Sequence, residues 1–298
     1  MIQLCAFADE AAESLSGQIA ALHRNGIRLI EARSIDGVNI ADLSLDAART
    51  AQRKFTESGI AVWALGTPYG KCSLGEGFRE ETLFRLLRRL CELARVFECG
   101  RLRIFSFYDA YGKKEQVLDL LSRSVRIAAE YGVELYHENE KDIYGDVPDR
   151  VLDLTAADGL RFVYDPANYI QSGVPAEESL RKALPLASYC HVKDILSAGG
   201  EIVPAGEGDG RIPQLIRLLK DDTVLTVEPH LSVFSGLSDI QTRGLKTRYT
   251  FANNDESFDA AAAALKRLLT QAGYRLRDGD YIKETAGGPS ADIRDTLS

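Results

Sequence analysis

Apolar and polar positions along the chain follow two alternating patterns. Short runs rich in Val, Ile, Leu and aromatic residues are typical of buried strands, and each is followed by a longer amphipathic stretch that is typical of a helix. We therefore predict eight strands, which begin at Ile2 (IQLCAFA), Ile27 (IRLIEAR), Ile60 (IAVWALG), Arg101 (RLRIFSF), Val133 (VELYHEN), Arg161 (RFVYD), Ser188 (SYCHVK) and Thr223 (TVLTVEP).

Helices are predicted between these strands and after the last one. They cover residues 12–25, 45–58, 80–97, 115–131, 147–156, 176–186, 212–220 and 257–272. Gly26, Gly59 and Gly132 stand at the ends of three of them, as expected where a helix stops and the next strand begins. Eight strand and helix units in residues 1–274 predict a single-domain (β/α)8 TIM barrel of the α/β class, with a doubly wound sheet as the alternative.

Two segments fall outside this regular alternation. Residues 231–256 form a long polar loop after the eighth strand, where an active-site lid or a contact between subunits of a homo-oligomer is expected. The C-terminal tail, residues 275–298, has Gly, Pro and Ser near its end and few apolar residues. We expect this tail to be partly disordered beyond Thr285.

Composition narrows the class of protein. Of the 298 residues, 45% are hydrophobic and 27% charged, which is ordinary for a globular protein, and a formal net charge of −8 disfavours nucleic acid as a partner. No apolar run approaches the roughly 18 residues of a membrane span, and the N-terminus lacks the charged start of a signal peptide. The five scattered cysteines have no C-x-x-C spacing, which favours buried thiols in a cytoplasmic protein.

Residues capable of chemistry collect at the C-terminal ends of the predicted strands, where barrel enzymes place their active sites. Three of the four histidines, His137, His191 and His230, lie there. The other candidates at these ends are Asp9, Glu10, Glu31, Arg33, Thr67, Ser106, Tyr108, Glu138, Glu140, Asp165, Asn168, Lys193, Asp194 and Glu228. A lone buried carboxylate is unfavourable, so this accumulation of acids indicates a cation at the barrel mouth.

Strand periodicity predicts which of these side chains share a face. Glu138 and Glu140 lie two residues apart, as do His191 and Lys193, so the members of each pair point the same way. His137 points away from Glu138. We therefore interpret His137 as a packed or hydrogen-bonded histidine behind the barrel wall.

The cofactor that this pattern predicts is one divalent metal ion. Glu138, Asp165, His191 and Glu228 come from the last four strands, which are neighbours in a barrel. Three carboxylates and one imidazole suit Mn²⁺, Mg²⁺, Co²⁺ or Zn²⁺, and three acids do not all stay ionised in a shared mouth without a cation. The competing interpretation is that each acid is a solvated loop residue.

Five short motifs resemble those of one protein family. HENE at His137, DPAN at Asp165, HVKD at His191, GEGDG at Gly206 and VEPHL at Val227 are similar, in this order, to motifs of the xylose isomerase-like TIM-barrel superfamily, in its branch of sugar phosphate isomerases and epimerases. The resemblance implies a divalent metal on Glu138, Asp165, His191 and Glu228. By likeness to the ketose epimerases, it also implies an acid/base role for Glu138 and Glu228. Asn168 stands where several relatives carry a histidine.

The substrate class implied by the resemblance is a small carbohydrate: a sugar, a sugar phosphate or a keto-polyol. The expected enzyme is a metal-dependent isomerase or epimerase that moves a proton between carboxylates by way of an enediolate. An inosose dehydratase-like lyase and an endonuclease-like metallohydrolase are the alternatives, the second disfavoured by the net charge and the few histidines.

We predict that five residues outside the metal set contact the substrate. These are Arg33, Glu140, Asn168, Lys193 and His230. A structural ion pair is the alternative for two of them: Arg33 with Glu31 or Asp36, and Lys193 with Asp194.

Overall fold

The structure, a computed structural model, describes residues 1–234 and 246–284 of the chain. Its centre is a barrel of eight parallel strands, β1 to β8: Ile2–Ala6, Leu29–Ala32, Ala61–Gly66, Arg101–Ile104, Glu134–Glu138, Arg161–Tyr164, Ala187–Val192 and Thr223–Val227. Each strand pairs with the next along the chain, and β8 returns to β1 with Ile2 opposite Thr223 and Ala6 opposite Val227. The sheet therefore closes, which confirms the (β/α)8 barrel and excludes the doubly wound alternative.

Nine α-helices accompany the barrel in the described ranges. In chain order, α1 to α9 are Leu15–Arg24, Leu45–Glu57, Glu80–Val96, Lys114–Ala129, Pro148–Leu154, Pro166–Gln171, Ala176–Lys182, Ile212–Leu218 and Asn254–Gln271. Eight of them correspond to predicted helices. The short helix α6 was not predicted, and it begins directly after Asp165.

The helix ends follow local sequence signals. The side chains of Ser14, Ser44 and Asn253 cap α1, α2 and α9, and each accepts a hydrogen bond from the backbone N–H three residues later. Gly26 and Gly59 follow α1 and α2 with φ angles of 59° and 67°, in the left-handed region that glycine enters at little cost. The predicted helix stops at these glycines are confirmed.

The barrel interior has an apolar floor beneath a polar layer. The floor consists of five buried side chains that pack together: Cys5, Tyr136, Val163, Tyr189 and Val224. The inward positions two residues further along four of these strands are polar: Glu138, Asp165, His191 and Thr226. Strand periodicity thus carries functional groups to the C-terminal mouth, while the outward residues pack against the helices.

The chain continues past the barrel as a hairpin of β9, Tyr274–Arg277, and β10, Asp280–Lys283. Tyr281 lies opposite Ile2 of β1, and Tyr274 and Tyr281 are both buried. The predicted tail therefore starts with a hairpin. Residues 285–298, where we expect disorder, and residues 235–245 of the expected lid or subunit contact lie outside the described part of the chain.

Among the described helices, none is both long enough and apolar enough to cross a membrane.

Candidate metal centre and active site

Four predicted ligands meet at the C-terminal mouth of the barrel. Glu138 ends β5, Asp165 follows β6, His191 lies in β7 and Glu228 follows β8. Each offers one ligand atom, and these four atoms all lie within 4.8 Å of one another. All four side chains are buried, Glu228 being the most accessible at 4% exposure. The interpretation of these acids as separate solvated loop residues is wrong.

Asp165 is aimed by the helix that it starts. Its Oδ1 accepts a hydrogen bond from the backbone N–H of Asn168 at 2.9 Å, and Pro166 occupies the first helical position of α6. The other carboxylate oxygen, Oδ2, is buried and accepts no hydrogen bond within the described residues, although Lys193 Nζ lies 3.0 Å from it. The capping interaction thus leaves one oxygen directed at the site.

Both nitrogens of the His191 ring face carboxylates. Nδ1 lies 3.0 Å from Glu138 Oε1 and 3.5 Å from Glu228 Oε2, and Nε2 lies 3.0 Å from Glu31 Oε2. Burial acts to lower the pKa of His191, but the charges of Glu138 and Glu31 outweigh it and raise this pKa well above its usual value. A metal bound to Nδ1 would therefore displace a proton.

Buried cations compensate the three carboxylates. Lys193 Nζ lies 3.0 Å from Asp165 and 3.3 Å from Glu228. Arg103 Nε lies 3.2 Å from Glu138 Oε2, and Arg33 Nη1 lies 3.5 Å from Glu228 Oε1. Three oxygen donors with one imidazole, and a buried aspartate oxygen without a hydrogen bond, fit a hard or borderline divalent metal.

Arg33 is held by two carboxylates and two aromatic rings. It donates to Asp9 at 2.9 and 3.0 Å and to Glu10 at 3.0 Å. The ring centroids of Phe7 and Phe234 lie 4.5 and 4.7 Å from its Cζ. This bracing leaves only Nη1 directed towards Glu228 and the mouth.

The acidic residues considered as ion-pair partners of Arg33 and Lys193 contact other groups in the structure. Glu31 faces His191, and Asp36 accepts a hydrogen bond from the backbone N–H of Leu15 at 2.7 Å. Asp194 accepts hydrogen bonds from backbone N–H groups, including three from the GEGDG segment: Gly206, Gly208 and Gly210. The Lys193–Asp194 pair and the two pairs considered for Arg33 are therefore wrong.

A second acidic group adjoins the first and shares Glu228 with it. Glu10, Glu228 and His230 also bring ligand atoms within 4.8 Å of one another. The backbone N–H of His230 donates to Glu10 Oε2 at 2.6 Å, and its Nε2 lies 3.5 Å from Glu228 Oε1. Burial raises the pKa of Glu10 to about 8 even though Arg33 lies beside it. The guanidinium of Arg33 already provides a cation at this position.

Asn168 and Glu140 complete the predicted set on opposite sides of Glu138. Asn168 Nδ2 donates to Glu138 Oε1 at 3.2 Å, so this amide helps to hold the glutamate. Glu140 pairs with Lys71 at 3.2 Å and has no contact with the four ligands among its hydrogen bonds and ion pairs in the described chain. The structure therefore places Asn168, Lys193, His230 and Arg33 in contact with the four candidate ligands. Glu140 pairs with Lys71 instead.

Sequence reasoning missed Arg103 and Lys71. Arg103 stands between Leu102 and Ile104, two buried residues of β4 that face the helices, so period-two alternation would have placed it inside the barrel. Lys71 lies in the loop after β3, where its ammonium sits 4.4 Å from the ring centroid of Phe105. No periodicity extends into that loop, and the sequence carried no signal for this position.

His137 lies behind the wall of the barrel, as its position beside Glu138 predicts. It is fully buried, with Nε2 2.9 Å from Ser106 Oγ and its ring 6.2 Å from that of Phe162. Burial lowers the pKa of His137 to about 3. The imidazole is therefore neutral at physiological pH.

A cavity of about 70 Å³ opens above the polar layer. Its lining includes Arg33, Asn39, Lys71, Arg103, Glu138 and Glu228. Two of the four candidate metal ligands thus line the same small space, together with cationic side chains and the carboxylate of Glu140.

The chain belongs to the xylose isomerase-like TIM barrel family, whose model matches residues 19–268. Curated protein sequences include no match to it.

Three solved structures illustrate the shared architecture. The IolI protein with a zinc atom has 16% identity and a TM-score of 0.69 over 90% of this chain and 98% of that one. A probable 3-DHS dehydratase, AsbF from Bacillus anthracis, has 15% identity and a TM-score of 0.67 over 89% and 99%. D-psicose 3-epimerase with D-fructose has 14% identity and a TM-score of 0.67 over 89% and 97%. Similarity at this level defines the fold alone.

Proposed function

We propose that this protein is a metal-dependent isomerase or epimerase of a sugar or keto-polyol. The observation that carries the proposal is the placement of Glu138 and Glu228. Both belong to the group of four candidate ligands, and both line the same cavity. A site with this arrangement can hold a divalent ion and has two carboxylates next to any molecule that the ion binds.

Proton transfer is the chemistry that the protein's own residues support. When bound, a divalent metal polarises a substrate carbonyl and so acidifies the neighbouring C–H. One glutamate then takes that proton, which leaves an enediolate, and the other glutamate returns a proton to the same or the adjacent carbon. Return of the proton to the opposite face of the same carbon gives an epimer. Return to the adjacent carbon, with transfer of the hydroxyl proton between the two oxygens, gives an isomer, and neither outcome needs a further reactant.

The surroundings keep each glutamate in position for this role. Arg103 and Asn168 hold the two oxygens of Glu138 at 3.2 Å each, and Lys193 lies 3.3 Å from Glu228. Glu138 and Glu228 are only 3% and 4% exposed, so little bulk water hydrates their carboxylates. Burial acts to raise the pKa of Glu228, but the charge of Lys193 and its other neighbours outweighs it and lowers this pKa well below its usual value, which favours the ionised form that a base requires.

Dehydration is the second candidate, and the position of Lys193 favours it. A lyase needs the same proton abstraction, followed by the loss of a hydroxyl group that an acid protonates. The Lys193 ammonium lies beside both Asp165 and Glu228, where it can donate a hydrogen bond to the departing hydroxyl group while the glutamic acid formed in the first step protonates that group. A dehydratase is also among the proteins with similar folds.

The experiment that tests the proposal combines metal analysis with a substrate screen. Metal-stripped protein would be loaded with Mn²⁺, Mg²⁺, Co²⁺ or Zn²⁺ and incubated in D₂O with ketoses, ketose phosphates and keto-inositols. We expect metal-dependent incorporation of deuterium at a carbon next to the carbonyl group of at least one compound. A product lighter by one water molecule would favour dehydration, and the absence of exchange with every compound and metal would contradict the proposal.

We predict that Glu138→Gln and Glu228→Gln each retain the metal and lose turnover by about 10²–10⁴-fold, the usual contribution of a general base. Only the double variant should lose all deuterium exchange, because either glutamate alone can still exchange the proton on its own side. Glu134→Gln, at the exposed start of the same strand β5, is the matched control. Near-normal turnover in both single variants would rule out the acid/base pair.

A further inference from the structure

We propose that Glu31 is a positioning residue that holds the His191 ring so that Nδ1 faces the metal site. The inference rests on the proposed metal centre, because it assigns a task to a residue that supports one of the ligands. Glu31 lies in β2, and β1 and β8 separate it from His191 in β7. Its side chain therefore reaches His191 across the barrel interior.

Glu31 makes four polar contacts from a fully buried position, at 0% exposure. Its Oε2 lies 3.0 Å from His191 Nε2 and accepts a hydrogen bond from Thr226 Oγ1 at 3.3 Å. Its Oε1 accepts one from Tyr189 Oη at 3.1 Å and lies 3.7 Å from Arg103 Nε. The carboxylate is thus held on both oxygens before any ligand arrives.

Each nitrogen of the His191 ring faces a carboxylate, but only Nδ1 faces the candidate ligand set. Glu31 Oε2 accepts a hydrogen bond from Nε2 and lies outside that set, whereas Nδ1 faces Glu138 and Glu228, two of its members. A metal bound among these ligands would replace the proton on Nδ1 and leave the hydrogen bond to Glu31 intact. A carboxylate behind a ligating histidine also makes the ring a stronger donor and fixes its orientation.

The strand register places the supporting hydroxyl groups around Glu31. Thr226 lies opposite His191 in the pairing of β8 with β7, and Tyr189 precedes His191 by two residues on the same face. The ring of Tyr189 also meets that of His191 edge to face at 5.6 Å. The residues that orient Glu31 are therefore the immediate neighbours of the histidine that it orients.

A purely structural role is the competing explanation, in which Glu31 only satisfies the buried hydroxyl groups. The test compares Glu31→Gln with Glu140→Gln. Both changes remove one buried negative charge from the mouth, but Glu140 pairs with Lys71, and none of its hydrogen bonds and ion pairs within the described residues involves His191. The measurement is Zn²⁺ and Mn²⁺ affinity, by competition with a chromophoric chelator, together with the thermal midpoint of the metal-free protein.

We expect Glu31→Gln to bind metal about 10–100-fold more weakly than Glu140→Gln, the usual effect of losing a carboxylate behind a ligating histidine. The visible absorption bands of bound Co²⁺ should shift in Glu31→Gln and not in Glu140→Gln. Equal affinities in the two variants would overturn the inference, because they would reflect net charge alone.

A second variant keeps the inference testable if Glu31→Gln fails to fold. Tyr189→Phe removes only the hydroxyl that donates to Glu31 Oε1, and it retains the ring that packs in the barrel floor. We expect a loss of metal affinity of several-fold, and affinity equal to that of the wild type would overturn the inference. If the wild-type protein binds metal without exchanging protons on any sugar, the proposed function fails and Glu31 keeps its assignment. If the wild-type protein binds no metal, both are overturned.

Discussion

At the scale of single residues, the site brings together charges that are unfavourable in isolation. Glu138, Asp165 and Glu228 are buried, and each lies within 3.5 Å of a lysine or arginine. The loss of hydration on burying a carboxylate is recovered only where geometry provides such partners. These cations compensate the carboxylates even when no metal is bound. Removal of a single ligand should therefore affect metal binding more than folding.

We predict that His191→Ala folds but loses metal binding. The imidazole is the one nitrogen donor of the group, and the residue lies above the apolar floor of the barrel. A metal at 100 times its Kd should stabilise the wild-type protein by about 2.7 kcal/mol, and the variant should lose this effect. Thermal unfolding with and without metal measures both quantities.

The control for this experiment is His23→Ala, since His23 is exposed on helix α1 and bonds to the backbone oxygen of Ser58. Undiminished metal stabilisation in His191→Ala would remove His191 from the ligand set.

A second residue-scale prediction concerns pH. Burial lowers the pKa of His137 to about 3, whereas an unfolded histidine titrates near 6.5. Below pH 6.5 the unfolded chain therefore binds a proton that the folded chain does not, and the free energy of unfolding falls as the pH falls. One such group contributes a slope of up to about 1.4 kcal/mol per pH unit.

His137→Gln should make this slope shallower by up to one proton between roughly pH 6.5 and 5, where few carboxylates titrate. Urea unfolding of metal-free protein at several pH values measures the slope. Identical slopes in the variant and the wild type would mean that His137 is accessible to protons in the folded state.

At the scale of elements, strands place the candidate ligands at the barrel mouth, and the loops and short helices that follow the strands orient their side chains. Helix α6 fixes Asp165 through its N-cap, and the GEGDG segment closes over the carboxylate of Asp194, next to Lys193. A Cβ added at Gly208 would overlap Asp194 Oδ1 and lie 2.6 Å from the carbonyl oxygen of Ile195. The glycine is required by close packing and not by an unusual φ angle.

Gly208→Ala is therefore expected to destabilise the protein by about 1–3 kcal/mol, as overpacking does, and to loosen the turn that carries Lys193. Gly100→Ala is the matched control, because the nearest atom to its added Cβ is a backbone oxygen 3.9 Å away. Equal midpoints for the two variants in denaturant unfolding would show that the segment can shift to make room.

At the scale of the whole molecule, the pairing of β1 with β2 begins only at Cys5, so the first residues of β1 need another partner on that side. The hairpin of β9 and β10 provides it, with Tyr281 opposite Ile2 and Gln3 donating to Asp280 at 3.2 Å. Tyr281 is buried, so its loss removes apolar contact as well as pairing.

We predict that deletion of residues 274–298 lowers the free energy of unfolding more than deletion of residues 285–298 does. The difference between the two truncated proteins should be about 2–4 kcal/mol. The second deletion leaves the hairpin intact and serves as the control. Equal stabilities of the two truncated proteins, measured by urea unfolding, would show that the hairpin contributes nothing to the barrel.

The strand ends were accessible from sequence because they depend on local rules. Period-two alternation predicted that Glu138 and His191 point inward and that His137 points outward, and the order of the strands predicted which ends are neighbours. Arg103 obeys the same rule, but it lies within β4 and not after its end, where the candidate residues collect. Its partner Glu138 lies on the adjacent strand β5, and no pattern within β4 indicates which carboxylate it meets.

Amino-acid sequence alone determined the eight strand and helix units and the placement of four candidate ligands at strand ends, because hydrophobic period, helix stops and strand order are short-range properties of the chain. Closure of the sheet, which excludes a doubly wound arrangement, was decided by the tertiary structure. Tertiary structure alone decided the partners. The contacts of Arg33 with Asp9 and of Lys193 with Asp165 join the ends of neighbouring strands. The contact of Glu31 with His191 spans 160 residues. It depends on closure of the sheet, which brings side chains together across the barrel interior and makes their separation along the chain irrelevant.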